Sequence, residues 1–178
     1  MFAKYSILLV ASAALSVFSP QFATAQFGGL FGGGPEIETI ETDALATMLQ
    51  ERQAAVEKAE KAGTKIPAPE FVVVDVRSDA EVDVSVIPGA ITKAQFEKNH
   101  KKYADLVVIP YCTVGGRSTA YATQLVKDGW KVKNYKGSIL QWITDELPLV
   151  TLEGKPTNRV HISSARYRVP AKYERVTR

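Results

Sequence analysis

Two apolar segments constrain the fold of this 178-residue chain more than any other feature. They are residues 71–76, Phe-Val-Val-Val-Asp-Val, and residues 106–111, Leu-Val-Val-Ile-Pro-Tyr. Near-continuous apolar runs of this kind are typical of parallel strands buried on both faces, because helices cover both sides of such a sheet. The stretches between the strands have helical patterns of about ten residues, which indicates βαβ units. We therefore expect an α/β fold, a small and mostly parallel sheet flanked by helices on both faces.

Further elements are predicted around these two strands. Apolar residues recur at helical spacing after Thr42, which is expected to cap a helix that ends at Gly63. Residues 130–135 alternate in polarity and predict a third strand, and residues 37–40 predict a short edge strand. The remaining predicted helices cover residues 78–83, 92–105, 119–127 and 137–146.

The first 25 residues differ from the rest of the chain. Lys4 is the only charged residue before Glu36, and residues 7–18 are apolar or small almost throughout. A small-x-small cleavage signal follows at residues 23–25, so residues 1–25 are predicted to be a secretory signal peptide. The alternative, a membrane anchor, requires about 20 apolar residues, and this run is shorter. We expect an exported protein, periplasmic or extracellular, without stable membrane insertion after cleavage.

The remaining chain divides by composition into three parts. Residues 26–35 contain five glycines and a proline and are predicted to be a flexible linker. Residues 36–150 are predicted to form the domain, and residues 151–178 a basic C-terminal extension with seven Lys or Arg against two Glu. This extension is expected to be solvated, to dock on its own domain or to contact an anionic protein partner. We expect no nucleic-acid partner.

Cys112 is the only cysteine of the chain, and it follows the second apolar run. Exported proteins normally use cysteines in pairs, so a single thiol is either a buried spectator or a reactive group. The loop 113–118 and the helix after it are expected to aim backbone N–H groups at this thiol, which would stabilise the thiolate and lower the thiol pKa. Gly115 and Gly116 permit the positive φ angles that such a loop needs, and Ser118 is expected to cap the helix.

Four motifs in register resemble those of a single rhodanese domain, over about residues 37–149. They are Asp75-Val76-Arg77 with Glu81, Ile87-Pro88-Gly89-Ala90-Ile91, Cys112-Thr113-Val114-Gly115-Gly116-Arg117-Ser118, and Gly137 with Trp142. The sequence departs from the family pattern at Ser85-Val86, where Gly-His is common. It also has a longer segment than usual, about residues 54–70, between the first helix and the first strand. The resemblance implies a rhodanese-like fold.

The resemblance also implies a sulfurtransferase that needs no metal or organic cofactor. Cys112 would take a sulfane sulfur from a small sulfur-containing anion such as thiosulfate, or from a persulfide donor, and pass it from a cysteine persulfide to a thiol or cyanide acceptor. Arg117 would either bond loop carbonyls or hold the anion. The residues that would bind the persulfide and the donor are Thr113, Val114, Gly115, Gly116, Arg117 and Ser118. Asp75, Arg77 and Glu81 would be structural support, with Arg77 and Glu81 paired on one helical turn.

Two other functions remain open at this point. A phosphatase loop of the tyrosine-phosphatase type separates its cysteine and arginine by five residues, whereas Cys112 and Arg117 are separated by four, which suits one sulfur atom better than a phosphate. A non-enzymatic rhodanese-fold module that binds sulfur or a protein is the second alternative. Thr113 and Val114 are uncharged where thiosulfate-selective loops often carry a basic residue, so the donor also stays open. His100 and His161, in a charged surface stretch and in the extension, do not predict a metal site.

Overall fold

The structure, a computed structural model, describes residues 35–162 and 164–177. The predicted signal peptide and all of the predicted linker except Pro35 lie outside the described residues. Among the described helices, none is both long enough and apolar enough to cross a bilayer.

Helices and strands alternate along the first three quarters of the described chain. The helices are α1 (Thr42–Ala62), α2 (Asp79–Val82), α3 (Lys93–Lys98), α4 (Gly116–Lys127) and α5 (Ser138–Thr144), with a 3-10 turn at His100–Tyr103. The strands are β1 (Phe71–Asp75), β2 (Ile91–Thr92), β3 (Val107–Tyr111), β4 (Leu149–Val150), β5 (Pro156–Thr157), β6 (Arg159–His161) and β7 (Glu174–Val176).

The central sheet has the strand order β2-β1-β3, and both pairings are parallel. Successive side chains of β1 point to opposite faces: Val73 packs with α1 and α5 in one cluster, and Val74 packs with α3 and α4 in the other. Ile109 and Val108 of β3 divide between the same two clusters. This confirms the predicted α/β fold. Both strands are apolar throughout because helices cover both faces of the sheet.

The predicted strand at residues 130–135 is only partly regular. Val108 donates to the Lys131 oxygen and accepts from Lys133, so this segment runs parallel to β3 through one isolated bridge. Asn134 then exchanges hydrogen bonds with residues 38–40, which form the predicted edge strand as a single bridge. Tyr135 donates to the Pro110 oxygen as well, so the segment lies between β3 and residues 38–40 and is joined to each by a single bridge.

Helix α1 corrects one prediction and explains the longer segment before β1. Its N-cap residue is Glu41, not Thr42, because the Thr42 hydroxyl is hydrogen-bonded to the Tyr135 hydroxyl at 2.9 Å. The helix ends at Gly63 as predicted, with a φ of 62°. Half of the longer segment, from Ala54 to Ala62, is helical and continues α1.

The C-terminal extension packs on the domain's own core. Val160, Ile162 and Tyr173 are buried in the same cluster as Ile109 of β3. Strand β5 pairs antiparallel with β4, and β6 pairs parallel with β7. Several basic side chains are used internally: Arg175 donates to the carbonyl oxygens of residues 164 and 167. The extension was expected to be solvated, to dock on its own domain or to contact an anionic partner. The observed packing is docking on its own domain.

Candidate active site

Cys112 lies at the carboxyl end of β3, the edge at which parallel α/β sheets place their ligands. A four-residue loop, residues 112–115 and hereafter the cysteine loop, connects β3 to the first residue of α4. The cysteine is 1% exposed, and the Gly115 N–H donates to its Sγ at 3.1 Å. The thiol is therefore almost completely shielded from solvent.

The two glycines of this region have different roles. Gly115 has a φ of 92°, and a Cβ at this position would lie 2.5 Å from the backbone oxygen of Lys136. Gly116 has no positive φ, and a Cβ there would meet no atom within 4 Å. The expectation that both glycines supply a positive φ is therefore wrong for Gly116, because the chain has already entered α4 at that residue.

Ser118 does not cap the helix as predicted. Since Gly115 is the N-cap, α4 begins two residues before Ser118, which lies buried in the first turn. The Ser118 hydroxyl donates back to the Gly115 oxygen at 3.1 Å, and its backbone N–H points toward Cys112. Ser118 therefore holds the cysteine loop from within the helix.

The surroundings of Cys112 favour the thiolate. Burial acts to raise the pKa of the Cys112 thiol, but the backbone N–H groups of Ser118, Val114 and Gly115 and the Ser138 hydroxyl outweigh it and lower the pKa. The N–H donors are fixed by the loop and by the first turn of α4, and Ser138 by α5, so they need no rearrangement when the charge forms. The groups that stabilise the thiolate most are thus neutral dipoles, and the guanidinium of Arg117 also interacts with Cys112.

Ser138 is a site residue that sequence reasoning missed. Its hydroxyl accepts the Cys112 N–H at 3.1 Å and lies 3.9 Å from Sγ, although it is 26 residues away in the chain. It has a φ of 57°, which is uncommon for a residue other than glycine and is often found at functional sites. The next two residues, Ile139 and Leu140, donate backbone N–H bonds to the carbonyls of residues 112 and 113. A serine opening the closing helix was the available signal, and only the fold brings it to the cysteine.

Arg117 is bound to a carboxylate. Its guanidinium makes two bonds to Glu81, at 2.6 and 2.8 Å, and one to the Thr113 hydroxyl at 2.8 Å. The hydrogen bonds with Glu81 raise the pKa of Arg117, and the nearby Cys112 raises it further. Arg117 thus neither bonds loop carbonyls, as one alternative had it, nor presents an unpaired guanidinium to a donor.

Glu81 is the centre of this cluster. It also accepts the Ser78 N–H and hydroxyl, at 3.0 and 2.8 Å, in a capping box that starts α2. Burial acts to raise the pKa of Glu81, but the bonds from Arg117, Ser78 and Thr113 hold it well below its usual range. The carboxylate is therefore ionised at all physiological pH values.

The predicted pair of Arg77 with Glu81 is wrong. Arg77 makes a bidentate bond to Asp75, at 2.9 and 2.7 Å, and donates to the Ser85 oxygen at 2.6 Å. The side chain turns into the interior over the Tyr111 ring, whereas Glu81 faces the cysteine loop. Asp75 and Arg77 therefore pack in the interior against Tyr111 at the end of β3, and Glu81 contacts the cysteine loop directly.

The histidines show no second site. His100 is exposed and bonds only the Glu97 backbone oxygen, at 3.0 Å, and His161 lies in β6. Among residues 35–162 and 164–177, no group of three or more His, Cys, Asp or Glu lies close enough to hold a metal ion.

Comparison with known proteins gives one family. The family model of the rhodanese-like domain matches residues 57–145. A sulfurtransferase from Allochromatium vinosum is 30% identical over 89 residues, which cover 48% of this chain and 83% of the relative.

Solved structures of low identity are similar to this chain. A thiosulfate sulfurtransferase from Pseudomonas aeruginosa has a TM-score of 0.50 and 18% identity, over 72% of this chain and 22% of that one. A rhodanese-related protein from Thermoplasma volcanium has a TM-score of 0.45 and 22% identity, over 64% of this chain and 97% of that one. The family match spans β1, the cysteine loop and all of α5, the elements that surround Cys112. On this match, the chain belongs to the rhodanese-like domain family.

Proposed function

We propose that the protein is a sulfurtransferase in which Cys112 carries the transferred sulfur as a persulfide. The observation that carries this proposal is the environment of the thiol, buried with the Gly115 N–H 3.1 Å from Sγ and with a lowered pKa. A thiolate is the nucleophilic form of cysteine, so these donors increase the reactive fraction at neutral pH. Family membership supports the proposal, and the relative from Allochromatium vinosum is itself named as a sulfurtransferase.

The proposed cycle has two displacements. The Cys112 thiolate attacks the sulfane sulfur of the donor, the new S–S bond forms, and the donor's own S–S bond breaks. With thiosulfate, sulfite leaves with the bonding electron pair and the terminal sulfur keeps the negative charge. A cyanide ion or a thiolate then attacks that terminal sulfur, and Cys112 leaves as the thiolate. The fixed N–H donors stabilise the anion at the start and end of the cycle.

Phosphate chemistry is less well supported by the site. A phosphatase of this type needs an arginine that binds the phosphate oxygens, and Arg117 is already bound to Glu81 and Thr113. The residue Cys112 is also only 1% exposed, which favours end-on approach of a single sulfur atom. Release of phosphate from an aryl phosphate, lost in Cys112→Ser, would overturn this assignment.

The non-enzymatic alternative differs from the enzyme in one measurable property. Incubation with thiosulfate or with an alkyl persulfide should add one sulfur atom to the intact mass of the protein. The addition should be absent in Cys112→Ser and should disappear from the wild type on treatment with cyanide, with formation of thiocyanate. A wild-type mass that stays unchanged with every sulfane donor tested would favour a binding module instead.

The proposal includes export. Residues 1–25 have the charge, apolar run and cleavage signal of a secretory signal peptide. Amino-terminal sequencing of the protein isolated from its own cells should find a chain that begins at Gln26. A chain that retains Met1 and remains in the cytoplasm would refute this part of the proposal.

A further inference from the structure

The positive charge closest to Cys112 is neutralised within the protein. Arg117 and Glu81 make two hydrogen bonds in a fork, at 2.6 and 2.8 Å, which is the strongest geometry for this pair. The Glu81 side chain is 11% exposed and that of Arg117 is 48% exposed. The pair therefore has a net charge near zero, although Arg117 lies close enough to Cys112 to interact with it.

Glu81 is fixed in this position independently of Arg117. The capping box with Ser78 holds the carboxylate at the start of α2, and the Thr113 hydroxyl donates to it at 2.9 Å from the cysteine loop itself. Apart from Arg117, three donor groups would have to be released before the carboxylate could turn away. An incoming anion therefore meets Arg117 together with its counter-ion.

The other charges around the cysteine loop do not replace Arg117. Asp75 and Arg77 form a buried pair that compensates itself. Thr113 and Val114 are uncharged. Lys136 abuts Gly115 through its backbone oxygen and the base of its side chain, but the residue is exposed, so solvent and salt screen its charge.

We propose that Glu81 is a specificity-determining residue that selects sulfane donors of low charge. The hydropersulfide of a neutral alkyl thiol, with at most one negative charge, should be preferred to thiosulfate, which has two. This inference rests on the proposed sulfurtransferase function and names its substrate class. The Cys112 thiolate attacks the terminal sulfur of the hydropersulfide, the S–S bond of the donor breaks, the organic thiolate leaves with the electron pair, and the proton stays on the new Cys112 persulfide.

Glu81→Gln tests the inference, because the amide oxygen can still accept the Ser78 N–H while the negative charge is lost. At roughly 6 Å in a water-like dielectric, removing one charge changes the binding of a dianion by about tenfold and of a monoanion by about threefold. The KM for thiosulfate should therefore fall about tenfold at low salt, and the KM for the hydropersulfide about threefold or less. The control is Glu57→Gln, which removes an exposed carboxylate on α1 that is bonded to Gln53. It should leave both KM values unchanged.

The outcomes separate this inference from the proposed function. Wild-type protein that gains a sulfur from no donor refutes the function itself. Wild-type protein that gains it, with a higher kcat/KM for thiosulfate than for the hydropersulfide, refutes only the role of Glu81. If Glu81→Gln leaves the ratio of the two KM values unchanged, the role of Glu81 is likewise refuted. Glu81→Asp keeps the charge and should keep the wild-type preference, which distinguishes loss of charge from disturbance of α2.

Discussion

Gly115→Ala is the substitution that tests most directly how the cysteine loop holds the thiol. Gly115 has a φ of 92°, and an added Cβ would lie 2.5 Å from the Lys136 oxygen. This obstacle is backbone and not the end of a flexible side chain, so the loop itself must shift. The shift moves the Gly115 N–H away from Cys112 Sγ, from which it lies 3.1 Å in the native loop.

The backbone strain and the loss of the Gly115 hydrogen bond can each be given a magnitude. A residue other than glycine in a sparsely populated backbone region costs on the order of 1–3 kcal/mol, before any collision is counted. In a chain of this length, a loss of about 2 kcal/mol lowers Tm by roughly 4–8 °C. A hydrogen bond to a charged group contributes about 1.5–3 kcal/mol, so its loss should raise the pKa of Cys112 and slow persulfide formation at neutral pH by about tenfold or more.

Gly116→Ala is the matched control, one residue along the chain. Its Cβ would meet no atom within 4 Å, and Gly116 is already the first residue of α4. Alanine favours a helix over glycine by up to about 1 kcal/mol, so Tm should stay the same or rise slightly. Thermal unfolding and the rate of mass gain from a sulfane donor are measured on both variants. Equal Tm values and equal rates for the two variants would refute the reasoning, because neither φ nor the contact with Lys136 would then constrain the loop.

Three further predictions concern charge and support around the thiol. The lowered pKa of Cys112 should appear as an ultraviolet thiolate signal that titrates at a lower pH than an ordinary thiol and is absent in Cys112→Ser. The stability contributed by the thiolate is lost as pH falls through the lowered pKa. The Tm of the wild type relative to Cys112→Ser should therefore increase as pH rises from that pKa toward about 8.5. Arg77→Met leaves Asp75 buried without its partner and should cost about 3–5 kcal/mol in denaturant unfolding; a loss below about 1 kcal/mol would contradict the buried pairing. Ser138→Ala and Ser138→Gly should both raise the thiol pKa, but only the glycine variant accommodates the φ of 57° without strain, so it should be the more stable of the two by Tm.

The strands β1 and β3 and the helix α1 were predictable because each carries a local signal, whereas the short strands β4 to β7 were not predicted. β1 and β3 are apolar on both faces, and Gly63 ends α1 by taking a left-handed φ of 62°. At Thr42 the local sequence pattern gives the wrong N-cap. It has the residue type of an N-cap, but a tertiary hydrogen bond to Tyr135 uses its hydroxyl, and α1 starts one residue earlier than a cap at Thr42 allows.

The partners of the charged residues were not predictable from spacing. Arg77 and Glu81 are four residues apart, which suggests a pair on one helical turn. Arg77 precedes α2, however, and its side chain folds back onto Asp75, while Glu81 caps the helix and reaches Arg117 across 36 residues. Ser138 was missed for the same reason, since its contact with the cysteine exists only once α5 packs beneath the loop.

The donors that lower the pKa of Cys112 most are neutral, and this separates reactivity from selectivity. Backbone dipoles stabilise a negative charge on the sulfur they touch, but their field falls off with distance faster than that of a full charge, so they do little to attract a multivalent anion from solution. A full charge would do both, and the one nearby, Arg117, is balanced by Glu81. Gly115→Ala should therefore slow sulfur uptake from hydropersulfide and thiosulfate by the same factor, because it removes a donor that acts on Cys112 alone. Glu81→Gln should change the ratio of the two, and a Gly115→Ala variant that changed this ratio instead would show that the dipoles also recognise the donor.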